Sequence, residues 1–149
     1  FFCVVGSSTR IRKSQREDRA SKSGAFVLSV LDYFEEVKRA IDNSKTVVES
    51  NIEYKEFSEE EGMIRGRVLF INGYILELME YICIGREKPK YRFHLKNKDD
   101  KMIFRYDNAP HHDISTFPHH KHVPGRIKPS KEVGLIDVLK EIEAMLSST

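Results

Sequence analysis

Histidine is scarce in this chain, with six among 149 residues, yet five of them fall within residues 111–122. They occur in two blocks, Asp107-Asn108-Ala109-Pro110-His111-His112-Asp113 and Pro118-His119-His120-Lys121-His122. The sixth, His94, stands in Tyr91-Arg92-Phe93-His94. Imidazole titrates unperturbed near neutral pH, which suits it to acid–base work. Arg92 and Arg105 are near in sequence, and guanidinium grips phosphate through paired N–H donors. Cleaving RNA without metal needs a base for the 2′-hydroxyl, an acid for the leaving oxygen and a cation for the crowded phosphorane. Two histidines and an arginine fill those roles. The same residues also suit a metal. In extended backbone His120 and His122 project to one face, and His111, His112, Asp107 or Asp113 would complete a ligand set, although the spacing matches no standard zinc motif. A third use is structural, with loop histidines bonding backbone groups to hold an irregular segment.

The elements that position these residues are readable from periodicity. Residues 90–96 and 101–107 form a hairpin across Asn97-Lys98-Asp99-Asp100. A two-residue turn at Lys98-Asp99 pairs Leu95 with Met102, Phe93 with Phe104 and Tyr91 with Tyr106, so every inward pair is apolar. That register sets Arg92 directly opposite Arg105, with His94 and Asp107 close by on the outer face. Like charges facing each other in a sheet are unfavourable unless they splay into solvent or an anion lies between them.

Upstream, Val27, Val30, Leu31, Phe34, Val37 and Ile41 recur at helical steps, with Ser23 as the expected cap and Asn43-Ser44 as the stop. Strands are expected over residues 47–57, 63–71 and 74–84. Asn72-Gly73 signals a type I′ hairpin, and the third strand's continuous apolar run suggests cover on both faces. Residues 108–130 hold four of the five prolines and lack periodicity, so they read as a long functional loop. A closing helix over residues 131–146, capped by Ser130, carries Val133, Ile136, Leu139, Ile142 and Leu146 on one side. The sum is an α+β fold: an antiparallel sheet of about five strands, an N-terminal and a C-terminal helix, and a long His-rich loop.

Composition sets the outer limits. The chain is the length of a single domain, 40% hydrophobic, and carries a formal net charge of +2. Six of the basic residues (Arg10, Arg12, Lys13, Arg16, Arg19 and Lys22) fall in residues 1–24 against Glu17 and Asp18, leaving the rest slightly acidic. Residues 1–24 therefore read as a basic, disordered leader and residues 25–149 as one domain, so nucleic-acid contact must rest on local chemistry rather than on overall charge. No apolar run suffices for a membrane span. Cys3 and Cys83 make no disulfide framework, Cys83 reads as a buried thiol, and a reducing cytoplasmic setting follows.

Tyr91-Arg92-Phe93-His94, Phe104-Arg105-Tyr106-Asp107-Asn108-Ala109-Pro110-His111-His112 and Thr116-Phe117-Pro118-His119-His120-Lys121-His122 together resemble the TumE family of prokaryotic toxin–antitoxin proteins. The resemblance is dense over residues 90–122 and compatible in layout from Phe26 to Leu146. It implies a small toxin silenced by a helix-turn-helix antitoxin. The positions that match the family's blocks are Arg92, His94, Arg105, Asp107, Asn108, His111, His112, His119, His120 and His122.

The leading expectation is a toxin acting on RNA as an endoribonuclease. Arg92 and Arg105 would hold phosphate, and two of His94, His112, His120 and His122 would act as acid and base. Asp107 would orient one imidazole and raise its pKa. Asn108, His111 and His119 would support the site. No cofactor is expected, while a divalent metal at His120 and His122 and a homodimer stay open. The rival is a non-enzymatic protein whose His-rich loop binds metal or a partner, and a nucleotidyl or other group transferase is a third reading.

Overall fold

The structure, a computed structural model, describes residues 29–110 and 113–148. The first helix among the described residues, α1 (Val30–Asn43), begins where the Ser29 hydroxyl accepts a hydrogen bond from the Asp32 N–H, and it ends at an extended Ser44. Val30, Leu31, Phe34, Val37 and Ile41 line its buried face, as their spacing requires. The described cap is thus Ser29; the expected cap Ser23 and Val27 lie outside the described residues.

Seven strands follow in a single antiparallel meander, each paired with the next in sequence. They are β1 (Val47–Glu56), β2 (Glu61–Phe70), β3 (Ile75–Cys83), β4 (Tyr91–Lys96), β5 (Met102–Asp107), β6 (His120–Val123) and β7 (Arg126–Pro129). The expectation of about five strands is corrected, because the end of the 108–130 segment folds as the β6–β7 hairpin. Its turn is Pro124-Gly125, with Gly125 at φ +86, which glycine tolerates and which proline's fixed φ precedes well. Pro129 sits on the edge strand, where no N–H is needed. The closing helix, α2 (Leu135–Ser147), starts four residues later than expected. Ser130 does not cap it but donates its N–H to Thr116 Oγ1, and Asp137 Oδ2 instead receives the Gly134 N–H at 2.9 Å.

The Asn72-Gly73 hairpin forms, but as a three-residue loop closed by the Phe70 N–H to Tyr74 O bond. Gly73 alone has positive φ there, so the turn is not type I′. Strand β3 alternates buried with half-buried residues rather than being covered on both faces. Both described helices pack on one side, against Ile64, Val68, Leu76, Leu78, Tyr91, Phe93, Leu95 and Phe104. Cys83 is a buried free thiol, as expected. Among the described residues no helix is long and apolar enough to cross a membrane.

One carboxylate interrupts this core. Glu80 of β3 is fully buried and bonds the Tyr33 hydroxyl at 2.9 Å, the Lys88 Nζ at 3.3 Å and the Leu135 N–H at 3.3 Å. It therefore joins α1, β3, the β3–β4 connection and the start of α2. Burial pushes its pKa up, and Lys88 and the hydrogen bonds oppose that rise. Glu80→Ala leaves Lys88 and Tyr33 without their buried partner and should lower unfolding free energy by about 3–5 kcal/mol. Urea denaturation measures this; a loss below about 1 kcal/mol would show that the network contributes little.

A candidate site on the outer face of the sheet

The β4–β5 register differs from the expected one. Arg92 faces Asp107, His94 faces Arg105 and Leu95 faces Phe104. The Arg92–Arg105 opposition is therefore corrected. Two local features cause the change. The turn is three residues long, with Asp100 in the left-handed region at φ 67, and a bulge follows between Leu95 and Lys96. Asn97 secures the turn by accepting from the Asp99 and Lys101 N–H groups through its side chain. Turn and bulge together slide β5 by two residues. Because side chains alternate with period two, the faces survive the slide although the partners change.

Strand β6 extends the pattern, since Arg105 faces His122 and Asp107 faces His120. Two adjacent rows result across β4, β5 and β6. One row is Arg92, Asp107, His120; the other is His94, Arg105, His122. The apolar and aromatic residues between them point to the helices.

Asp107 is the hub of these rows. It is 5% exposed. Its Oδ1 accepts the Ala109 N–H at 3.0 Å and lies 2.8 Å from His120 Nε2. Its Oδ2 accepts Arg105 Nε–H at 3.1 Å and lies 3.7 Å from His122 Nε2. His120, 2% exposed, places Nδ1 at 2.8 Å from the Pro118 carbonyl oxygen, an acceptor to which that nitrogen donates. Arginine can only donate, so the 3.1 Å contact between Arg105 Nη2 and His122 Nε2 makes that histidine nitrogen an acceptor. A protonated His122 would lose the Arg105 contact and face Asp107 Oδ2 at 3.7 Å, an ion-pair rather than a hydrogen-bond distance. The His120 and His122 rings meet edge to face at 4.8 Å.

His94 lies on the other side of Arg105. Its Nε2 is covered yet has no hydrogen-bond partner among the described residues. Burial lowers its pKa from 6.5, Arg105 and Lys96 lower it further, and Glu77 opposes them. Arg92 and Arg105 line an open cleft of about 510 Å³ together with Asp107 and Asn108.

The remaining expected residues divide. Asn108 clamps the chain before β4: its Oδ1 accepts the Tyr91 N–H at 3.0 Å, and its Nδ2 donates to the Lys88 and Pro89 carbonyls. His119 is buried away from the two rows, between the Tyr91 hydroxyl at 2.7 Å and the Glu87 carboxylate. His119 is scaffold, and Asn108 combines its clamp with a place in the cleft wall. His111 and His112 lie outside the described residues. Asp113 is exposed and joins none of the described ligand groups. Among the described residues two groups bring ligand atoms within 4.8 Å of one another, Asp107 with His120 and His122, and Glu87 with His119 and Glu132. The second was not expected, since Glu87 and Glu132 are remote from the histidine blocks in sequence.

Residues 37–146 match the family Toxin TumE, and the chain belongs to that family. No curated protein and no solved structure matches it.

The lowered His94 pKa yields a signed expectation. The folded imidazole resists a proton that the unfolded one accepts near pH 6.5, so this group's contribution to stability falls as pH drops below that range. An NMR titration of His94 should give a midpoint below 6.5. Arg105→Gln should raise that midpoint only part of the way, because burial is the larger cause. A midpoint at or above 6.5 in the unaltered protein would contradict the assignment.

Proposed function

We propose that this toxin acts on RNA as a metal-independent endoribonuclease. The observation that supports it best is the row His94, Arg105, His122, two imidazoles on either side of a guanidinium on three adjacent strands. A scissile phosphate seated against Arg105 and Arg92 would have a nitrogen base and an acid on opposite flanks. His94, kept neutral by burial and by Arg105, takes the proton from the 2′-hydroxyl. The 2′-oxygen attacks phosphorus, and Arg105 stabilises the crowded phosphorane. The P–O5′ bond breaks as protonated His122 gives its proton to the leaving oxygen. The products are a 2′,3′-cyclic phosphate and a 5′-hydroxyl. Asp107 and His120 are positioning residues in this scheme, holding Arg105 and strand β6 from behind.

Membership in a toxin family supports a partner antitoxin, and we take it to be a helix-turn-helix protein that silences the toxin in the cytoplasm. The test is growth arrest on induction. His94→Ala, Arg105→Ala and His122→Ala should each remove it, since losing an acid or base costs about 10²–10⁴ in rate and losing a transition-state donor about 10²–10³. If all three variants, expressed to the level of the unaltered toxin, still arrest growth, the catalytic assignment is wrong.

One specific arrangement favours a second reading. Asp107, His120 and His122 form a two-histidine, one-carboxylate set, and the Pro118 carbonyl on His120 Nδ1 is the second partner a metal-bound histidine usually has. Against it, Arg105 places a cation on both Asp107 and His122. Protein purified without a His tag should hold no stoichiometric metal; one bound zinc per chain, with unfolding on chelation, would favour the metal reading.

A further inference from the structure

Beyond Arg92 the outer face continues as a second open cleft, of about 840 Å³, running over β3 and β2 to β1. It shares Lys90 and Arg92 with the smaller cleft at Arg105 and Asp107, so the two are continuous. The registers explain this continuity. Arg92 faces Met79, Met79 faces Arg65, and Arg65 faces Glu53, which extends the Asp107 row across the rest of the sheet.

The larger cleft is cationic. Arg65, Arg67, Lys90 and Arg92 line it and all are exposed. Of its two carboxylates, Glu53 is paired with Arg65 at 3.2 Å and Glu77 with Lys96 at 3.2 Å. Arg67, Lys90 and Arg92 have no ion pair among the described residues. Three cations left without carboxylates along one groove call for an anion with repeated charges. No aromatic ring lines the cleft, so nothing there offers a base the stacking platform that single-strand binders use. What the groove can hold is a backbone.

We infer that this groove binds the phosphates of single-stranded RNA flanking the scissile bond, with Arg67 and Lys90 as the cations that grip it beyond Arg92. The inference rests on the RNA-cleaving reading of the neighbouring site. Attack by a 2′-hydroxyl needs that oxygen in line with the leaving 5′-oxygen, a geometry helical RNA does not offer, so the strand entering is single. Binding through phosphates alone makes this part of the recognition indifferent to base and sensitive to salt.

Fluorescence anisotropy with 2′-fluoro oligouridines, which lack the attacking hydroxyl, tests the groove apart from cleavage. The full chain should bind a 12-mer more tightly than a 4-mer. The double variant Arg67→Ala/Lys90→Ala should bind the 12-mer about tenfold more weakly, lose distinctly less affinity for the 4-mer, and melt as the unaltered protein does. Its slope of log affinity against log salt should be shallower by about 1.4, at roughly 0.7 for each phosphate that is no longer neutralised. Equal 12-mer affinity in both proteins overturns the proposal. So does a double variant that weakens only the complex with purified antitoxin, which would make the groove a protein interface. Tight, Arg67-dependent binding without cleavage of ordinary oligouridine keeps the groove and ends the transesterification mechanism. Cleavage with no effect of the double variant does the reverse, and failure to bind either RNA ends both.

Discussion

The arrangement on the outer face depends on the Asp107 carboxylate. A buried anion is costly unless it is paired and hydrogen-bonded. Asp107 meets that demand with the Ala109 N–H, the Arg105 Nε–H and His120 Nε2, which come from three consecutive parts of the chain. The requirement works in both directions. Satisfying the carboxylate fixes the chain leaving β5, sets the azimuth of Arg105 and holds β6 in register. Because β6 is only four residues long, its own ladder gives it little hold, and His120 supplies an anchor that the backbone alone would not. His122 inherits its position beside Arg105 from that anchor.

Histidine consequently does two kinds of work here. His119 and His120 are buried and bonded at both ring nitrogens, one to Tyr91 and Glu87, the other to Asp107 and Pro118. They satisfy polar groups that burial would otherwise strand. His94 and His122 are less buried and lie on either side of a cation, with His94 Nε2 left without a partner among the described residues. The dense histidine blocks are thus both a scaffold and a set of chemical groups. Glu80 has a comparable scaffold role on the opposite face, where it joins both helices to the sheet.

What was legible in the sequence followed from periodicity. The inward set Tyr91, Phe93, Leu95, Phe104 and Tyr106 and the outward set Arg92, His94, Arg105 and Asp107 are as their alternation implied. Partner identity was not legible. It turned on the left-handed Asp100 and on a bulge, neither of which alternation records, and a two-residue slide leaves the hydrophobic pattern unchanged. The β6–β7 hairpin escaped notice because two four-residue strands around Pro124-Gly125, one ending on Pro129, look like loop. The burial of His120 was invisible for another reason: it is set by contacts with Asp107 and Pro118, and no spacing rule encodes those.

The central claim is that the imidazoles flanking Arg105 transfer the protons of a transesterification on RNA. Analysing the ends of RNA cut by the purified toxin in excess chelator tests it most directly. Fragments ending in 2′,3′-cyclic phosphate with 5′-hydroxyl partners are the predicted result. Cleavage that stops with chelator, or that leaves 3′-hydroxyl and 5′-phosphate ends, would contradict it.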